Sequence, residues 1–155
     1  MITISEESKK KLNNTKLFAE AVIAGTILAA YEIGSETTKE QRRLITSGKK
    51  TGRVYNVNIN GRRIRHQASA PGQPPANLSG NLQRNAYYKV KGWNQVIIGN
   101  DAVSKKNAPY PVFLEYGTSR MAARPFVNKA IHNKEIQNIR SLEFHIASEI
   151  DKRVR

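Results

Sequence analysis

The residues able to carry chemistry are few and scattered. Three histidines, His66, His132 and His145, lie far apart in the chain. None sits in a ligand spacing such as His-Glu-x-x-His, which puts two imidazoles on one helix face. No cysteine is present to complete a zinc set, form a disulfide or act as a thiol nucleophile. Each histidine therefore reads as a surface or packing residue. There is no Gly-x-Ser-x-Gly elbow. Gly48-Lys49 lacks the upstream glycine and downstream Ser/Thr of a phosphate loop, and reads as a flexible basic turn. Residues 41–100 contain no Asp or Glu, so acid–base work would fall to Asp101, Glu115 or the helix acids. Glu115 lies in the apolar run Phe113-Leu114-Glu115-Tyr116 and is the acid whose burial the pattern suggests. An ion pair with a nearby arginine is its expected role. The expectation is a protein that is not an enzyme, with no cofactor and no metal site.

Charge is the strongest bulk signal. The 155 residues carry 26 Lys/Arg against 12 Asp/Glu, a formal +14. Residues 1–40 sum to −1, residues 41–100 to +11 and residues 101–155 to +4. Sixty residues without an acid must put a positive potential on one side of the fold. That potential suits nucleic acid or an acidic protein surface, and equally simple solubility. Tyr87, Tyr88 and Trp93 are interleaved with Arg84, Lys89 and Lys91, a pattern that can stack single-stranded bases. Core or interface packing is the plainer reading of aromatics in strands.

The elements that must position these groups follow from periodicity and turn chemistry. At 155 residues the chain is expected to be one domain. Only 39% of residues are hydrophobic, which suggests a modest core and further burial against copies or partners. A helix is expected over about 5–33, capped by Ser5, with Glu6 and Glu7 in its first turn and Gly34-Ser35 ending it. A second short helix is expected from Thr37 or Thr38. Residues 47–52 read as a basic loop. Arg53 to Ala68 read as a hairpin turned at Asn60-Gly61, with Ile59 opposite Arg62, Val57 opposite Ile64 and Tyr55 opposite His66. Its other face then carries Asn56, Asn58, Arg63, Arg65 and Gln67. Three prolines and two glycines keep 69–80 irregular. A short helix and then a strand are expected over 81–90, and a strand over 93–99. Pro111 to Gly117 form a short apolar element. A last helix is expected over about 125–152, with Pro125 in its first turn and Ile136, Ile139, Leu142, Ile146 and Ile150 as its apolar stripe. The fold class is α+β: a small antiparallel sheet with a basic hairpin, packed by a long N-terminal and a long C-terminal helix. The N-terminus shows no signal peptide, and Ala19 to Ile33 is too short and too interrupted to span a membrane.

Two segments carry a resemblance. One is His66-Gln-Ala-Ser-Ala-Pro-Gly-Gln-Pro-Pro-Ala-Asn-Leu-Ser-Gly-Asn-Leu82. The other runs from Tyr110 to Ile131 and contains Glu115-Tyr-Gly-Thr-Ser119 and Ala123-Arg-Pro-Phe126. Together they resemble the neck and tail-completion proteins of siphophages, the lambdoid gene-ten-like minor structural proteins. The match covers about residues 64–131. Departures are Leu78-Ser79-Gly80, where the family often has an acidic residue and Thr before the glycine, and a long basic insert at 34–53. These put in doubt which ring of the junction is meant.

The resemblance implies an α+β subunit of a homo-oligomeric ring, hexameric by expectation, at the head–tail junction of the virion. Such a ring is assembled in the host cytoplasm. Its partners would be the connector or head-completion proteins, the tail proteins and the DNA passing through the channel, with no membrane. The interface residues would be Glu115, Tyr116, Gly117, Thr118, Arg120, Arg124, Pro125 and Phe126, with Arg124 paired to Glu115 or to a neighbour's carboxylate. The same residues can instead simply fold the monomer. Arg53, Arg62, Arg63 and Arg65 would face the channel DNA or an acidic partner. Protein docking is slightly favoured, because DNA must slide. A tail-terminator ring and a basic nucleic-acid-binding module are the alternatives. A small nuclease would need catalytic groups that the chain does not offer.

Overall fold

The computed structural model describes residues 5–59, 61–104 and 107–154. The order is α1 (Glu6–Thr46), β1 (Val54–Ile59), β2 (Arg62–Gln67), α2 (Asn81–Arg84), β3 (Ala86–Lys91), β4 (Gln95–Asn100), α3 (Tyr110–Tyr116) and α4 (Val127–Val154). The fold is α+β, and its strands form two separate two-stranded hairpin sheets, β1-β2 and β3-β4. Two compact units can be distinguished along the chain. The first is Met1–Gly34, Val90–Ile97 and Ile136–Arg155; the second is Ser35–Lys89 and Ile98–Glu135. α1 and α4 each give one end to each unit.

α1 does not stop at Gly34. It runs on for 41 residues in all and absorbs the second expected helix. A mid-helix glycine costs about 1 kcal/mol relative to alanine, and tertiary burial overrides a penalty of that size. Here the turns after Gly34 bury Thr37, Gln41, Leu44 and Ile45. The unbroken helix also changes the membrane expectation. Its stretch Lys10–Thr46 is long and apolar enough to cross a membrane by length and composition, a test that core helices of soluble proteins also pass.

In the first unit α1 meets the C-terminal half of α4 closely. A Cβ on Gly25 would fall 2.6 Å from Ile146 Cα, so only glycine permits the approach. Glu32 accepts hydrogen bonds from Ser141 Oγ at 2.7 Å and faces His145 Nε2 at 2.6 Å. The Ser141 hydroxyl, then His145, holds the Glu32 carboxyl below its ordinary range.

The second unit is built on Ile45, Leu82, Ala102 and Phe126, with Tyr110, Leu114 and Val127 packed against them. The expected hairpin register is found: Tyr55↔His66, Val57↔Ile64 and Ile59↔Arg62. Gly61 has positive φ, while Asn60 lies outside the described residues. One strand starts later than expected, and the short apolar element takes a definite form. Trp93 belongs to the β3-β4 turn, and the Pro111–Gly117 element is a helix. α4 starts two residues after Pro125, which lies ahead of it.

The part of α1 in this unit buries polar groups. Glu40 is 7% exposed, receives Arg43 Nε and Nη2 at 2.6 and 2.7 Å, and receives Asn133 Nδ2 at 2.8 Å. Arg43, against the cost of burial and with help from Asn133, holds the Glu40 carboxyl below its ordinary value. The carboxyl is thus more acidic folded than unfolded. Its contribution is complete above the ordinary glutamate pKa and is lost as pH falls through the lowered value. Glu40→Gln should therefore lower the urea midpoint at neutral pH, and the gap to the parent should close as pH falls below the ordinary glutamate range. Gln41 is fully buried, and neither its Oε1 nor its Nε2 has a hydrogen-bond partner. Gln41→Met, close in volume and without polar atoms, should raise stability by about 1 kcal/mol in the same titration.

Candidate functional site

The short helix α3 and the start of α4 meet at one side chain. α4 has no acid in its first turn. Four backbone N–H groups at a helix start lack intrahelical partners, and the helix dipole adds partial positive charge there. Glu115, 7% exposed, fills that role from α3. Its Oε2 accepts from Phe126 N at 2.9 Å and Val127 N at 3.0 Å, and its Oε1 accepts from Asn128 N at 2.9 Å. This replaces the expected ion pair: Arg124 donates from Nε to Ser69 O at 3.2 Å instead. The helix start already supplies the positive end that the carboxylate needs.

Around this cap the chain turns tightly. Gly117 has φ 77°, and a Cβ there would lie 2.8 Å from Met121 O. Thr118 and Met121 pair through their backbones, and Thr118 Oγ1 accepts from Arg120 N at 3.2 Å. Arg124 N donates to Leu114 O at 2.7 Å. Glu115 and Phe126 are turned inward, so in this fold their side chains are spent inside the subunit. Pro125 is half-buried. Tyr116, Thr118 and Arg120 are the exposed members of the expected interface set, with Tyr116 72% exposed.

The segments 66–82 and 110–131 are tied to one another. Arg124 reaches Ser69 O, Gly72 N donates to Ala123 O at 2.9 Å, and Asn81 Nδ2 donates to Tyr110 Oη at 3.2 Å. Between them and the apolar face of the β1-β2 hairpin lies a cleft of about 980 Å³. Sequence reasoning missed this cleft. The irregular proline-rich loop was its one available signal, because such a loop must run over a surface.

Arg53, Arg62, Arg63 and Arg65 are all exposed on the hairpin. Arg53 lies 5.7 Å above the Tyr55 ring. Among the described residues, Arg62, Arg63 and Arg65 make no ion pair. The aromatic–basic cluster is divided. Tyr87 and Tyr88 are half-buried beside Arg42, which donates to Ala86 O, and Lys89 lies 5.2 Å from the Tyr87 ring. Trp93 belongs to the other unit.

The histidines stay apart. His66 is half-buried in the second unit, and burial, then Lys50, pushes its imidazole below the usual value. His132 is exposed beside Glu135 at 3.4 Å, and His145 pairs with Glu32. Among the described residues no group of three or more His, Asp or Glu is arranged to hold a metal ion. Comparison with family models, curated proteins and solved structures finds no match for this chain.

The cap predicts its own test. Glu115→Ala strands three amides at the start of α4 and should cost about 3 kcal/mol in urea unfolding, while Glu115→Gln, which keeps an acceptor, should cost less.

Proposed function

We propose that this chain is a structural subunit of a homo-oligomeric ring at the head–tail junction of a long-tailed bacteriophage. In this reading it joins connector to tail and has no catalytic role. The observation that carries the reading is the exposed apolar surface of the first unit. Among the described residues, eleven of the twenty exposed large hydrophobics lie there, including Leu12, Phe18, Tyr31, Ile136, Ile139 and Phe144. Ile136 is 68% and Ile139 52% exposed, so the expected α4 stripe is open at its start, and Phe144 beside it is also 68% exposed. Large apolar side chains left exposed in such number favour association.

Charge supports self-association through this unit. It holds nine Lys/Arg and seven Asp/Glu, for +2, whereas the second unit holds seventeen and five, for +12. Copies meeting through the first unit meet little repulsion; copies meeting through the second unit meet a great deal. The resemblance of segments 66–82 and 110–131 to the neck family supplies the location. Their mutual hydrogen bonds support reading the two segments as one module.

The basic hairpin favours one second reading, a nucleic-acid-binding module. The two part in solution. Light scattering on the purified chain should give a ring-sized mass without DNA, insensitive to salt. Phe144→Glu combined with Ile136→Glu should leave a folded monomer. A parent chain that stays monomeric and shifts only with nucleic acid, losing the shift as salt rises, would establish the binding-module reading instead.

A further inference from the structure

The cleft of the second unit has a chemistry that the ring reading does not use. Of the 24 residues that line it, none is Asp or Glu, and three are Arg84, Arg120 and Arg124. Arg124 is fixed through Nε on Ser69 O, and Arg84 through Nη2 on Ser79 O at 3.1 Å. Arg120 is exposed, and no hydrogen bond or ion pair of its guanidinium is found among the described residues. Ser69 lies on the same wall, 1% exposed, and its Oγ has no hydrogen-bond partner. A buried hydroxyl without a partner costs free energy unless something completes it. The remaining walls are largely apolar and aromatic, with Tyr55, Ile59, Leu82 and Tyr110.

We infer that this cleft is a docking site for an acidic segment of a partner protein, a peptide carrying carboxylates beside an apolar anchor. The arginines supply planar, bidentate donors that match carboxylates. The apolar walls supply burial for the anchor. Charge argues against a second copy as occupant. The chain carries 26 Lys/Arg against 12 Asp/Glu, and the unit that holds the cleft is itself +12, so a second copy brings an excess of positive charge to it. Phosphates held by charge alone would find the exposed Arg62, Arg63 and Arg65 first.

The test is fluorescence anisotropy of the full chain with a fluorescein-labelled synthetic peptide of alternating Glu and Asp around one Leu and one Phe. The parent should bind it, and a peptide with Gln and Asn in place of the acids should not bind. Arg120→Glu should weaken binding by about tenfold or more with an unchanged melting curve. Ala122→Trp, at an exposed position on the cleft wall, should weaken it without touching a charge. Arg63→Glu with Arg65→Glu should leave the peptide affinity within about twofold. The inference is overturned if the cleft variants bind the peptide as the parent does. It is also overturned if a single-stranded oligonucleotide displaces the peptide and only the hairpin variant loses binding, or if Arg120→Glu lowers the mass of the free protein, which would make the occupant a second copy. The ring reading stands or falls separately, on the mass of the parent chain without peptide.

Discussion

One carboxylate organises the centre of the second unit. Glu115 takes three amides at the start of α4, and each of those amides would otherwise be an unpaired donor at a buried helix end. The constraint works in both directions. The amides need an anion or acceptor, and a carboxylate buried to this degree needs concentrated donors. Because the acid comes from α3 and the amides from α4, satisfying both fixes the angle at which the chain leaves the 117–124 turn. Phe126, fully buried and itself one of the donors, is carried into the core by the same arrangement.

From that junction the rest of the second unit follows. The turn at Gly117 brings Ala123 and Arg124 back to the irregular loop, where they bond to Gly72 and Ser69. That loop cannot pair as a strand, since its prolines lack donors, so side chains and single backbone bonds must hold it. Gln73 and Asn77 do part of this, Gln73 accepting from Thr51 Oγ1 and Asn77 accepting from Gly80 N, while Asn81 and Asn100 tie the following helix to Tyr110, Val103 and β4. A cleft remains because a proline-rich loop bridges to the hairpin without filling the space beneath it.

The two units divide the surface chemistry. One is nearly neutral and shows large apolar side chains on long helices; the other carries almost all of the excess positive charge. A strongly cationic chain that also self-associates must separate these properties, since like charges at a shared interface cost free energy. On the ring reading, apolar contacts hold copies to one another, and the basic unit is left to face acidic protein or the DNA of the channel.

The sequence by itself determined the local elements and several of their details. The period-2 runs on either side of Asn60-Gly61 fixed the hairpin register pair by pair, because side chains alternate faces and a slip would invert them. Proline content fixed the irregular loop, and helical periodicity placed both long helices. The apolar run around Glu115 signalled its burial. Only the tertiary structure decided what depended on neighbours distant in the chain. Gly34 is a stop signal by local chemistry, yet α1 continues, because the burial of Leu44 and Ile45 outweighs one glycine. Glu115 was expected to meet Arg124. It meets backbone amides instead, groups that every residue carries and that no residue-type pattern can single out. The cleft was equally hidden, since its wall is assembled from stretches of chain that meet only when folded. Local propensity is written in neighbouring residues, whereas caps and cavities are written in the approach of distant ones.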